Sequence, residues 1–336
     1  MTTTDLTSAQ PGPLWAALRF VRRVLAAPTV GPLLALLLTM VFFSLKTDRF
    51  LAAQNFSLIM QQVMVVGVLA IGQTLVILTA GIDLSCGTVM AFGQIVMTKL
   101  AVAEGVDPIP AIVLGILACV AFGLLNGSLV TGVRLPAFIV TLGTLNIALA
   151  LTHTYSDDLT FSPLPSELLF FGRTFQLAGA DFTYGVVLML VLYAVAWYAL
   201  SQTAWGRHVY AVGDNPEAAR LTGIKVSRVL LSVYVLAGLT YGIAAMLLVA
   251  RTELGDPNAG QTTENLDAIT AVVLGGTSLF GGRGTVIGTL IGATIVGVFR
   301  NGLTLIGVEV IYQYLVTGIL VILAVSVDQL TRRRRR

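Results

Sequence analysis

Gln61, Gln62, Gln73, Gln94, Asn126 and Asn146 interrupt long apolar runs, and Asp83 stands at the edge of one. Amides donate and accept hydrogen bonds without carrying charge. The chemistry open to them is reversible bonding to neutral groups, on a neighbouring helix or on a polar solute passing between helices. Covalent chemistry has no comparable foothold. The two histidines, His153 and His208, and the two cysteines, Cys86 and Cys119, show neither metal-ligand nor nucleophile–base spacing. The cysteines read as packing residues. No G-x-x-x-x-G-K-[S/T] stretch occurs, so the chain has no recognisable phosphate cradle for ATP. The expectation is a non-enzymatic chain with no catalytic residue, no metal and no cofactor of its own.

The elements that hold these amides are membrane helices. Of 336 residues 56% are hydrophobic and only 11% charged, and the mean hydropathy is +0.88, more apolar surface than one soluble core can hide. A bilayer core about 30 Å thick requires roughly 20 apolar residues per helix. Continuous runs of that kind argue against a β-barrel, whose strands alternate. The expected spans are 29–46, 56–79, 84–103, 110–133, 135–153, 182–201, 227–249, 267–281, 285–300 and 303–326. An even number puts both termini on one side. With the termini cytoplasmic, Arg19, Arg22, Arg23, Arg134, Arg207, Arg220, Lys225, Arg228, Arg283 and Arg332 to Arg336 face inward, as the positive-inside rule favours. The chain thus divides into a cytoplasmic segment 1–28, a transmembrane domain 29–326 and a basic tail 327–336. The first run lacks a small-x-small site after it, as Phe43-Ser44-Leu45-Lys46 shows, and reads as an uncleaved span. Leu14, Trp15, Leu18 and Leu25 fit an interfacial helix or a disordered anchor equally. The terminal arginines read as a topology and lipid-contact signal rather than a nucleic-acid site.

One polar stretch breaks the pattern. In Asn215-Pro216-Glu217-Ala218-Ala219-Arg220-Leu221-Thr222-Gly223, Asn215 suits an N-cap, Pro216 the first helical position and Glu217 the positive helix end, while Gly223 suits the stop. The spacing predicts a helix of about two turns in the most basic internal loop, either a handle for a soluble partner or a capped interfacial helix. Asp83 sits where the third span starts and reads as its cap, with a pathway role also open. Asn126-Gly127-x4-Gly132-Val133 recurs as Asn301-Gly302-x4-Gly307-Val308 at an offset of 175 residues. About five spans separate the copies, and an odd shift inverts one relative to the other. The glycines around Gly275 to Gly284 are expected to serve close helix packing first.

Glu217-Ala218-Ala219-x-x-x-Gly223 resembles the E-A-A-x-x-x-G loop by which permease subunits of ABC importers dock into their ATPases. Ala80-Gly81-Ile82-Asp83-Leu84-Ser85-Cys86-Gly87-Thr88 is similar to the G-I-D-L-S-x-G-S/T signature of the ribose/xylose/galactoside (monosaccharide) permease family. Leu274 to Thr285 and Pro136 to Thr144 resemble two further segments of that family, and the likeness covers about 55–325. Cys86 fills the variable position and Thr88 stands where serine is common.

The resemblance implies an all-α permease of about ten helices in a bacterial inner membrane, working as a homodimer. It implies two ABC ATPase subunits that bind ATP and Mg, and a soluble sugar-binding protein. The coupling residues it implies are Asn215, Pro216, Glu217, Ala218, Ala219, Arg220 and Gly223. Gln62, Gln73, Asp83, Gln94, Asn126 and Asn146 are the translocation-path candidates, since sugar hydroxyls suit sparse neutral partners. The external segment 154–181 is the place for a binding protein to dock, or is a solvated loop. The alternative is an ion-coupled secondary transporter, to which an inverted repeat is equally natural but which predicts acids near span centres; Glu309 and Asp267 lie only near span ends.

Overall fold

The computed structural model describes residues 29–177, 179–260 and 263–333. The segment 1–28, where an interfacial helix or a disordered anchor is expected, and Arg334 to Arg336 lie outside the described residues.

Apolar runs, broken by Pro, Gly and polar links, fold into helices α1 (Val30–Lys46), α2 (Ala53–Leu78), α3 (Cys86–Val102), α4 (Pro108–Ser128, continued by a π turn Leu129–Val133) and α5 (Ala137–Ser156). A hairpin of β1 (Thr174–Leu177) and β2 (Ala180–Thr183) comes next, pairing Thr174 with Thr183. Then come α6 (Tyr184–Gln202), α7 (Ala204–Asp214), α8 (Pro216–Leu221), α9 (Val226–Thr252), α10 (Thr263–Leu274), α11 (Val286–Leu305) and α12 (Val310–Arg333). The architecture is all-α and polytopic, apart from that hairpin. Among the described residues six helices are long and apolar enough to cross a membrane: α2, α4 with its π turn, α5, α6, α9 and α11. The helix α12 continues to Arg333.

Apolar composition does not distinguish lipid-facing from central helices, but burial does. The apolar windows of α2 and α9 are 89% and 78% buried, against 28% for α4, α5 and α6. The centre is therefore the α2–α9 pair, with α3, α4, α10 and α11 packed on it. In lipid such contacts need close approach, because apolar burial alone gives no drive. Gly123 of α4 and Gly238 of α9 supply it reciprocally: a Cβ on Gly123 would strike the Tyr234 carbonyl, and one on Gly238 the Cys119 carbonyl.

Two expected spans are corrected. The span 267–281 ends at Leu274. Beyond it the chain makes a turn in which Gly276, Gly281, Gly282 and Gly284 take positive φ, closed by Ser278 N–H to the Arg283 carbonyl at 2.9 Å. With 12 residues, α10 is about 18 Å long, too short for the hydrocarbon core. The last boundary moves from 303 to Val310: α11 runs on to Leu305 and the chain turns at Gly307, φ +81°.

Candidate translocation site and coupling helix

The loop 79–85 between α2 and α3 is where the polar residues converge. Ala80 takes a left-handed conformation, φ +61°, which turns the chain back from the end of α2. Asp83 is 1% exposed. Its Oδ1 accepts the Ser85 N–H at 2.8 Å and the Ser85 hydroxyl at 2.6 Å, and its Oδ2 accepts the Tyr241 hydroxyl of α9 at 3.2 Å. Asp83 thus closes a turn one step ahead of the helix, and Ser85 occupies the N-cap position. The first-turn N–H of Gly87 is instead accepted by Asn265 Oδ1 of α10, whose Nδ2 donates to the Leu84 carbonyl at 2.7 Å. Two helix N-termini, of α3 and α10, therefore meet through one amide inside the protein.

The other candidates divide. Gln73 Oε1 lies 3.4 Å from the Tyr241 hydroxyl, and Asn126 Nδ2 donates to Ser85 Oγ at 3.2 Å, so both join the Asp83 cluster. Gln94 Nε2 donates to the Asp256 and Ala259 carbonyls of the segment before α10. Gln73 Nε2, Gln94 Oε1, Asn126 Oδ1 and Gln62 Oε1 are buried without a hydrogen-bond partner among the described residues. Such groups are costly in a purely structural role and are what a pathway for hydroxyl groups would keep. Asn146 is apart from them, exposed on α5 and bonded to its own helix through the Leu142 carbonyl at 3.0 Å. Asp267 pairs with Arg300 of α11 at 2.9 Å, close to Glu264 and Arg251.

The helix α8 is built as its local sequence dictates. Asn215 Oδ1 accepts the N–H groups of Glu217 and Ala218, each at 3.0 Å. Pro216 opens the helix, and Gly223 lies just past its end at φ +87°. Only Ala219 is buried; Pro216, Glu217, Ala218, Arg220 and Leu221 are exposed, Leu221 at 89%.

Behind α8, the end of α7 is wedged into the fold. A Cβ on Gly213 would strike the Leu78 carbonyl and the Gly282 nitrogen. The Leu78 carbonyl accepts the Gly282 N–H at 2.9 Å, and the Tyr210 hydroxyl donates to the Gly284 carbonyl at 2.9 Å. From the far side, Thr141 of α5 donates to the Ile82 carbonyl at 3.0 Å. Three stretches distant in sequence, around Thr141, Gly213 and Gly282, thus close on the loop that carries Ala80 and Asp83.

Residues 55–325 match the family described as "Branched-chain amino acid transport system / permease component". The chain belongs to this permease family. The fructose import permease protein of Rhizobium meliloti is 45% identical, over 92% of this chain and 87% of that protein. The ribose import permease protein of Bacillus subtilis is 40% identical over 89% and 92%, and the D-allose transport system permease protein of Escherichia coli K12 is 35% identical over 86% and 88%. No solved structure matches. In this permease the residues that sequence reading missed are Tyr234, Tyr241 and Asn265. The two tyrosines are seven apart on one face of α9, and a methyl on Gly81 would lie 3.0 Å from the Tyr234 hydroxyl. That heptad spacing of buried phenols was the available signal; Asn265, in a polar link, offered none.

Proposed function

We propose that this permease is the membrane subunit of an ATP-driven importer for a monosaccharide. The observation that carries the reading is α8: a capped helix with five of its six residues exposed, whose neighbour α7 is wedged at Gly213 against Leu78 and Gly282. The named substrates of its relatives, fructose, ribose and allose, support a sugar over the amino acids of the family description. So do unsatisfied neutral amides, which suit hydroxyls better than an ammonium and a carboxylate.

The permease works as a homodimer in the bacterial inner membrane, both termini cytoplasmic, with two ABC ATPase subunits that bind ATP and Mg and do the hydrolysis. A soluble sugar-binding protein docks on the outer face around the β1–β2 hairpin. Closure of the ATPases moves Glu217 to Gly223. Through Gly213 that movement reaches the end of α2, the glycine turn and the loop of Asp83, and the path switches its open side.

In this scheme the chain forms ten membrane segments in two inverted sets of five. Left-handed residues, Ala80 and Glu253, end α2 and α9, and the short helices α3 and α10 come after each. Asn126 and Asn301 are buried on the equivalent α4 and α11. The helices α7 and α8 are then an insertion of the second set alone. Short helices that meet at their N-termini near mid-membrane are a common way to build a transport site.

Co-expression with a candidate ATPase, then purification through a tag on this chain, tests the proposal. ATPase retention by the natural chain and its loss in Glu217→Arg are expected. Equal retention by both sinks the docking assignment.

A further inference from the structure

We propose that the cavity between the α4–α5 link and the start of α9 binds the phosphate of an anionic phospholipid headgroup. The cavity, of about 490 Å³, is lined by Arg134, Arg220, Lys225 and Arg228, with Ser227 and Gly223. Among the described residues none of these four cations is ion-paired. The acids of the adjoining elements, Asp214 and Glu217, do not line it. Arginine forks match phosphate oxygens in pairs, and the start of α9, whose Lys225 cap position makes no side-chain cap bond, adds the positive end of a 27-residue helix.

Arg134 is held at φ +63°, with its N–H on the Leu129 carbonyl. An L side chain rarely adopts that conformation unless the surroundings impose it, and here it delivers a cation to the cavity. The rim identifies the source of the phosphate. Val133, Leu135, Phe138 and Ile139 around Arg134 are 61%, 39%, 49% and 55% exposed. Acyl chains cover such a surface, and a free phosphate ester has none to offer. Basic pockets at the cytoplasmic side of membrane helices recognise anionic lipid by this combination.

Native mass spectrometry of the delipidated full chain, titrated with phosphatidylglycerol or with phosphatidylcholine of the same acyl chains, tests the site. The natural chain retains phosphatidylglycerol roughly tenfold or more over phosphatidylcholine. R134Q/K225Q/R228Q loses the preference with its thermal midpoint kept; if the triple variant does not fold, R228Q alone narrows the ratio. Equal retention of the two lipids, or a preference unchanged in the variants, overturns the proposal. Millimolar sn-glycerol 3-phosphate leaves the lipid bound; if it displaces the lipid and binds as tightly, the ligand is a soluble ester and the lipid assignment falls. If the variants keep the preference but lose a co-purifying ATPase, the surface is a protein contact and the proposal falls as well.

Discussion

Asn265, on the first turn of α10, spans the gap to α3 with both ends of its amide: Nδ2 reaches the Leu84 carbonyl at 2.7 Å, and Oδ1 takes the N–H of Gly87. The Cys86 thiol donates to the same oxygen at 2.9 Å. One side chain thereby satisfies the start of a helix on another element, and the two short helices cannot separate without exposing buried backbone groups.

Asn265→Ala is therefore expected to lower stability by about 1–3 kcal/mol, the cost of a buried donor left unpaired, and to cut uptake in vesicles. Asn265→Asp buries a charge and sets an acceptor against the Leu84 carbonyl, so its thermal midpoint in detergent should fall at least as far as that of Asn265→Ala. A midpoint unchanged in both variants would show that the bridge does not hold α3 to α10.

Tyr241 has one hydroxyl proton and two acceptors within reach, Asp83 Oδ2 at 3.2 Å and Gln73 Oε1 at 3.4 Å. The carboxylate is the stronger and nearer acceptor. Tyr241→Phe removes a bond to a charged group, worth about 1.5–3 kcal/mol. Solute uptake should fall while ATPase retention on the affinity tag stays intact, because α8 is remote from the change. Uptake at the natural rate would place the Asp83 cluster outside the working path.

The range of each interaction decides how much of the fold and the site is readable in the chain. The helix α8 is legible because Asn215, Pro216 and Gly223 act on backbone within three or four residues of themselves. The amides Gln73, Gln94 and Asn126 are legible as inward groups because a polar side chain in an apolar run is costly toward lipid. Asn146 is not: α5 buries Thr141, Thr144 and Thr152 and leaves Asn146 exposed, a choice of face made by the neighbouring helices. The end of α10 is hidden for another reason. Its glycines look like the middle of an apolar run, but Gly275 packs on the Gly288 backbone and Gly276 turns at φ +83°, a feature set by a helix thirteen residues further on.

Gly223 makes a sharper probe of coupling than Glu217, because nothing lies within 4 Å of where its Cβ would be. Within this chain a substitution there acts through the backbone. At φ +87° a valine strains the stop of α8 by about 1–2 kcal/mol without touching the spans. Asn215→Ala should weaken the other end of the same helix by about 1 kcal/mol. Each variant is expected to insert normally and to lower sugar-stimulated ATP hydrolysis in reconstituted vesicles. Full stimulation in both would mean that the form of α8 does not matter to coupling.

The Asp267–Arg300 pair offers a test that separates packing from charge. Asp267 is 2% exposed and Arg300 closes on it at 2.9 Å, joining α10 to α11. Asp267 is buried while the Arg300 side chain is 29% exposed, so removing the arginine costs less than in a fully buried pair, about 1–3 kcal/mol. Arg300→Gln should therefore unfold more readily than the natural chain. Asp267→Asn/Arg300→Gln, which carries no charge at either position, should recover part of the loss, since no unpaired charge is left buried. Thermal unfolding of the two single variants and the double one gives the coupling directly. Additive losses would mean that the two side chains are stabilised separately, and the link between α10 and α11 would then rest on close packing such as the Gly275–Gly288 and Gly292–Ala271 contacts.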